Sequence, residues 1–237
     1  MRDTKNMLLD TYIFRTELHV HTSPASPCGK EEPEALAKRY SSLGYHAVAL
    51  TNHFMYNPNL SAAEYTARYL EDYNRLITAA EPLGLKVILG AEIRFTENIN
   101  DYLVYGVDKD LLPEIYDRLP FGVEAFRRGL KMPNSVFVQA HPFRVKMEQV
   151  DASLLDGVEV FNMHPNQNSR IGLAAKWAKR EGVRIITAGS DFHNPEHGGD
   201  GLAALRTKCL PTDSYHLASL LKDGDYVLEL GGSIILP

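Results

Sequence analysis

The sequence predicts an α/β protein whose strands close, or nearly close, into a barrel. Short β-branched runs of four to six residues alternate with amphipathic stretches of helical period. The runs are apolar throughout, as in strands of a mostly parallel sheet buried on both faces. About eight such runs fit within 237 residues, a size at which an α/β barrel forms one unit. No Pro-, Gly- or Ser-rich linker and no fixed-period repeat interrupts them, so residues 1–237 read as a single domain.

Taken in order, Glu17–His21 (ELHVH) is a short strand. Glu32–Leu43 is a helix, with Pro33 tolerated in its first turn and Gly44 as a stop. His46–Thr51 (HAVALT) is the second strand. Ser61 is placed to cap a long helix ending near Gly84. Lys86–Glu92 (KVILGAE) and Tyr102–Val107 (YLVYGV) are the third and fourth strands. Only Ile93–Asp101 separates them, too short for a helical crossover, so they are expected to form a hairpin or to break the barrel's regularity. Helices follow at Leu111–Leu119 and Val123–Leu130. Ser135–Ala140, Gly157–Phe161 and Val183–Ala188 are further strands, with a helix at Ser169–Glu181 between the last two. A helix at Ser214–Leu221 and a strand at Tyr226–Leu230 complete the pattern.

Composition narrows the function. A hydrophobic fraction of 44% supports a buried core and excludes disorder as the main state. A formal net charge of −5 argues against gripping long nucleic acid by bulk electrostatics. Two cysteines, Cys28 and Cys209, are too few for a disulfide framework or an all-thiolate zinc site, which points to a reducing cytoplasm. No apolar run reaches the ~20 residues that span a bilayer, and MRDTKNMLLDTYIF does not read as a secretory signal.

Nine histidines are the unusual number, and their placement is more telling than their count. His19 and His21 close the first strand, two apart and so on one face. Asn52 and His53 follow the second strand, and Glu92 ends the third. His141 follows SVFVQA; Asp191 and His193 follow RIITAGS. In a parallel barrel the C-terminal strand ends share the rim where active sites are built. One such feature alone is more often structural. Seven imidazole and carboxylate groups converging on one rim would be costly to bury without a metal. The donor set suits Zn, Mn or Fe. Its size points to at least two ions, with Glu92 able to bridge a pair that activates water and clamps a phosphoryl group.

The segments ELHVHT, ALTNHF, GAEIRF, QAHPFR and GSDFH, in this order from residue 17 to residue 193, resemble the PHP family, named for polymerase and histidinol phosphatase domains. The resemblance implies a distorted seven-stranded (β/α)7 TIM-like barrel with two or three divalent metals at the C-terminal strand ends. It also implies hydrolysis of phosphate esters by a metal-bound hydroxide. Carried across residue by residue, it places His19, His21, Glu92 and Asp191 on the first metal. Glu92 bridges to a second, also held by His141, while His53 and His193 serve a third.

Three positions depart from the family pattern. The Asp or His that often follows HxH is absent from TSPASPCGK, where Cys28 could take its place or the third site could be weak or empty. A buried, inert thiol is the plain alternative. No His follows the bridging Glu, and Asp101 stands near that position as a replacement. Asn52 stands where an Asp commonly precedes the motif histidine, a change expected to affect how His53 is oriented.

Phosphate recognition calls for guanidinium or ammonium groups, and Arg144, Arg94 and Lys30 lie on the expected rim loops. A solvated surface charge is the plain alternative for each. His164 is a candidate for touching substrate or donating a proton to the leaving group. Asp191 and Arg144 are the expected catalytic pair: Asp191 orients or deprotonates the water, and Arg144 neutralises the phosphoryl oxygens. The expected partner is a small phosphorylated substrate. The rival readings are an amidohydrolase-like metal hydrolase, for which no motif Lys is evident, and a degenerate PHP domain with a regulatory or structural role.

Overall fold

The computed structural model describes residues 4–237. The expectation for the N-terminal segment thus falls partly on residues 1–3, outside the described residues. In chain order, helix α1 (Thr4–Thr11) precedes β1 (Phe14–Val20), α2 (Pro33–Ser42), β2 (Ala47–Leu50), β3 (His53–Met55) and α3 (Ala62–Ala80). Next come β4 (Lys86–Leu89), β5 (Ala91–Arg94), β6 (Asp101–Tyr105), α4 (Leu111–Tyr116), α5 (Gly122–Gly129) and β7 (Val136–Gln139). The last elements are β8 (Gly157–Asn162), α6 (Ile171–Glu181), β9 (Ile185–Gly189), β10 (Ala203–Thr207), α7 (Ser214–Asp223), β11 (Val227–Leu230) and β12 (Ser233–Ile235). No helix among the described residues is long and apolar enough to cross a membrane.

The strands form two six-stranded sheets, ordered β12-β11-β10-β1-β2-β4 and β3-β5-β6-β7-β8-β9. The expectation of a mostly parallel sheet needs correction. Parallel ladders join β1–β2, β2–β4, β3–β5, β7–β8 and β8–β9, but β6 runs antiparallel to both β5 and β7. The cause is the short connection read from the sequence: β5 and β6 are a hairpin with Arg94 opposite Asp101. β10, β11 and β12 add an antiparallel meander to β1. The sequence reading left out α1, β3, β10 and β12; AALRT (Ala203–Thr207) is short and follows a Gly-rich loop. Helix α4 stops at Tyr116, short of the expected Leu119, and Pro120 sits in the short 3-10 turn that follows.

Local signals explain the long helix. Ser61 accepts from the Glu64 amide and the Glu64 carboxylate accepts from the Ser61 amide, a reciprocal cap of a kind in which the capping residue contributes about 1 kcal/mol. The buried face of α3, including Tyr69 and Leu76, covers the outer side of the sheets.

Two strands pass from one sheet into the other. The β2–β4 pair of the first sheet continues as the β3–β5 pair of the second. Thr51 and Asn52 make one step, and Gly90 makes the other. At Gly90 a Cβ would lie 2.9 Å from Thr51 Cγ2 and 3.2 Å from the Leu50 carbonyl, so only glycine fits without displacement. The buried Tyr69 hydroxyl donates to the carbonyls of Gly90 (2.7 Å) and Asn52 (3.2 Å), tying both steps to α3. On the opposite side an isolated parallel bridge, Val20 to Phe192, brings the ends of β1 and β9 together. Leu18, Ala49 and Ile88 from one sheet and Leu103, Val138 and Ala188 from the other share one buried cluster, so the sheets enclose a common interior.

Tyr69→Phe keeps the packing and removes the tie. It is expected to destabilise the fold by about 1–2 kcal/mol, read as a lower urea midpoint at unchanged slope. An unchanged midpoint contradicts this account of the two steps.

Candidate metal centre

The structure brings all seven expected metal-site residues together. His19 ends its approach on β1 and His21 follows that strand. His53 opens β3 rather than trailing a strand, and Glu92 lies within β5 rather than at a strand end. His141 follows β7; Asp191 and His193 follow β9. Glu92 Oε1 lies 3.2 Å from His19 Nε2 and 3.1 Å from His141 Nε2. Its Oε2 lies 2.8 Å from His53 Nδ1 and 3.4 Å from His21 Nε2. Asp191 Oδ1 lies 3.3 Å from His19 Nε2, 3.2 Å from His21 Nε2 and 3.4 Å from His193 Nδ1.

The backbone is bent to make this possible. His141 (φ 31°) and Asp191 (φ 50°) both adopt left-handed conformations that residues with a Cβ rarely adopt, at a cost of order 1–3 kcal/mol each. The β1–β2 register shifts between Glu17 and Val20, and the β8–β9 register shifts between Glu159 and Phe161. These irregularities flank His19 and Glu159, which bond to each other through His19 Nδ1 and Glu159 Oε1 at 2.8 Å.

That bond decides what the cluster needs. With Nδ1 facing Glu159, His19 turns its Nε2 toward Glu92 and Asp191. His19 Nε2, His53 Nδ1 and Glu92 Oε2 are buried atoms without a well-directed hydrogen bond. Such a set is stable only around positive charge. Burial pulls the His19 pKa down, but Glu159, Asp191 and Glu92 outweigh it and hold it well above the ordinary value. Burial likewise acts against His53, and Glu92 reverses the effect. For Glu92, burial is overcome by His53 and His19, which keep the carboxylate well below its usual range. Protons on His19 and His53 thus occupy the electrostatic role that cations would fill, and cation binding would release them.

Among the described residues, four overlapping groups have donor atoms within 4.8 Å of one another: His19/His21/Asp191, His19/Glu92/His141, His53/Glu92/Asp101, and His21/Cys28/His53/His193. They include both replacement residues weighed from the sequence, Cys28 and Asp101. Divalent ions fit this donor chemistry, with His19, His21 and Asp191 close enough to share one and His19, Glu92 and His141 close enough to share another.

On the substrate side, Arg144 lies over Asp191. Its Nη2 bonds to Asp191 Oδ2 and to Asn162 Oδ1 (2.5 Å), and its Nε to Ser169 Oγ (3.3 Å). Arg94 is held differently from expectation: its guanidinium is paired to Asp101 through Nε (2.7 Å) and Nη2 (2.8 Å). Lys30 is exposed; its backbone amide, rather than its side chain, bonds to the His193 carbonyl at 2.7 Å. His164 packs edge-on against His193 with ring centroids 5.2 Å apart. Burial, aided by Arg144 and only partly offset by Asp191, pushes its pKa down to about 4. At neutral pH it is therefore a neutral hydrogen-bonding group rather than a store of an acidic proton. A cavity of about 220 Å³ is lined by Arg94, Arg144, Asp191 and His193, with Val145, Met147 and Gln167; Lys30 and His164 do not line it.

Sequence reasoning missed the carboxylates beneath the cluster. Glu159 accepts from the His141 amide and from Asn162 Nδ2 as well as facing His19. Glu17 accepts from the amides of Leu18, His19 and Ser190, and burial lifts its pKa to about 7. The available signal was a single Glu in each of two strands, among the histidines of ELHVH and the apolar residues of GVEVF.

Glu159→Gln removes the charge that orients His19 while keeping the side chain's size. Metal affinity is expected to fall by about 10–100-fold, measured by competition with a chromogenic chelator. Unchanged affinity contradicts this role.

No curated protein matches the chain. Among solved structures the fold is similar to a two-domain protein of Bacteroides vulgatus containing a predicted PHP-like metal-dependent phosphoesterase. That similarity has a TM-score of 0.64 at 15% identity and covers 92% of this chain and 64% of that one. It is also similar to an amidohydrolase of Chromobacterium violaceum whose structure has bound sulfate and no metal (TM-score 0.53, 16% identity, 86% of this chain and 95% of that one). A third similarity is to a protein of Bifidobacterium adolescentis taken to be a metal-dependent phosphoesterase (TM-score 0.48, 20% identity, 76% of this chain and 87% of that one). The family model described as PHP domain matches residues 17–233, and the chain belongs to that family.

Proposed function

We propose that the chain is a metal-dependent phosphoesterase acting on a small phosphate ester, with two or three divalent ions (Zn, Mn or Fe) held by the buried cluster. The observation that carries this reading is Glu92, a buried carboxylate within 3.4 Å of four imidazoles, beside a cavity of about 220 Å³ that Arg144 lines. The two sheets are read here as one distorted barrel of seven strands, in which β2 with β3 and β4 with β5 each count once. Residues 1–237 then form a single domain.

Bound divalent ions supply a water of lowered pKa and positive charge against the phosphoryl oxygens. The chain's own residues do the rest. Glu159 fixes the His19 ring so that Nε2 faces the cluster. Asp191 Oδ1 faces His19 and His21 while Oδ2 faces Arg144, a position from which it can orient the attacking water. Arg144 uses Nε and Nη2 on protein acceptors, which leaves the Nη1 edge for a phosphoryl oxygen. His164, neutral at working pH, can hydrogen-bond the leaving group. Arg94 serves by holding Asp101 in place rather than by meeting phosphate.

A panel of phosphomonoesters, phosphodiesters, amides and lactones tests the reading. Phosphate release that a chelator stops, and that His19→Ala and Glu92→Ala each abolish, is the expected result. Full activity in either variant sinks the assignment; chelator-sensitive turnover of amides or lactones alone points to the amidohydrolase reading instead. Arg144→Ala is expected to lower kcat/KM for a phosphoester by about 10–100-fold, the worth of a hydrogen bond to a charged group. An unchanged kcat/KM places Arg144 outside the substrate site.

A further inference from the structure

The residue that most distinguishes this cluster is a thiol. Cys28 is exposed on the loop after β1, yet its sulfur lies within 4.8 Å of ligand atoms on His21, His53 and His193. Three separate chain segments therefore meet at the sulfur.

The loop is built to hold it there. The Ser26 amide bonds to the Thr22 carbonyl (3.0 Å) and the Gly29 amide to the Ser26 carbonyl (2.9 Å), forming two successive tight turns around Cys28. A Cβ on Gly29 would lie 2.8 Å from the Thr22 carbonyl carbon and oxygen, so the turn closes only on glycine. Ser26 Oγ accepts from the His53 amide at 2.8 Å and lies 3.1 Å from His21 Nδ1. The Lys30 amide donates to the His193 carbonyl at 2.7 Å. The loop is thus fixed to the same backbone that carries the imidazoles. His193 Nδ1 is occupied by the Asp191 carbonyl at 2.7 Å, which leaves Nε2 as that ring's ligand atom.

We propose that Cys28 is a thiolate ligand to a cation shared with His53 and His193, and that this position selects a borderline-soft ion such as zinc over manganese or magnesium. Thiolate and imidazole favour that class, whereas the neighbouring His53/Glu92/Asp101 group, with its two carboxylates, suits a harder ion. The centre is then chemically uneven, and the exposed side of Cys28 leaves this position open to a water or a substrate atom. The inference rests on the metal-dependent reading above and adds the identity of one ligand and the preference it creates.

Cobalt(II) is the probe, because thiolate coordination to it gives a sulfur-to-metal charge-transfer band in the near ultraviolet. Metal-stripped protein is titrated with cobalt as wild type, Cys28→Ser, Cys28→Asp and Cys209→Ser. Wild type and Cys209→Ser are expected to show the band with one of the bound equivalents. Cys28→Ser should lose the band and weaken that equivalent by about 100-fold or more, while keeping the rest. Cys28→Asp should lose the band yet regain the equivalent, and should bind manganese there better than wild type does. Cobalt bound by wild type without the band, or a band that survives Cys28→Ser, overturns the thiolate position and leaves the hydrolase reading standing. No cobalt bound at all overturns both.

Discussion

Glu92 places a carboxylate where solvent does not reach, and the chain surrounds it with four imidazoles from three different segments. A buried carboxylate costs several kcal/mol unless charge and hydrogen bonds compensate it. Here Asp191, Glu159 and Asp101 add three more carboxyl groups within the same shell, and Arg94 and Arg144 are the guanidinium groups paired there. Two arginines do not balance four carboxyl groups. The remainder comes from protons on the histidines or carboxyls, or from cations. Buried donor atoms that lack hydrogen bonds, such as His19 Nε2 and Glu92 Oε2, suit cations.

The rest of the architecture follows from assembling those segments at one point. Passing β2 into β3 and β4 into β5 carries His53 and Glu92 inward, and Tyr69 secures both steps. The β5–β6 hairpin returns Asp101 to the level of Arg94, next to Glu92. Left-handed backbone at His141 and Asp191 turns their side chains toward the centre instead of along the chain. The strain at His141 and Asp191 falls where ligands converge, and the shared apolar interior beneath offsets it.

Much of this was legible in the sequence because the chemistry sits at the ends of recognisable apolar runs. HxH at a period of two, the hairpin forced by a short connection, and the capped start of α3 each have a local physical cause that one segment carries. The antiparallel meander of β10 to β12 was not legible, since AALRT and SII are too short to show a period and depend for pairing on β1 and β11 respectively. The pairing of Arg94 with Asp101 was not legible for a similar reason. The spacing of Arg94 from Glu92 placed it on the rim, but only the hairpin register shows that Asp101 lies directly across from it. Glu159 and Glu17 act through tertiary contacts with His19 and Ser190, to which no spacing rule leads.

The central claim is that the cluster is a multinuclear metal centre, and metal content per chain tests it most directly. Protein purified without chelators or an affinity metal column is analysed for its elements. The account predicts two or three equivalents of Zn, Mn or Fe per chain. Near-zero metal, unchanged after growth with added ions, would contradict it and leave a PHP domain whose buried histidines carry protons in place of cations.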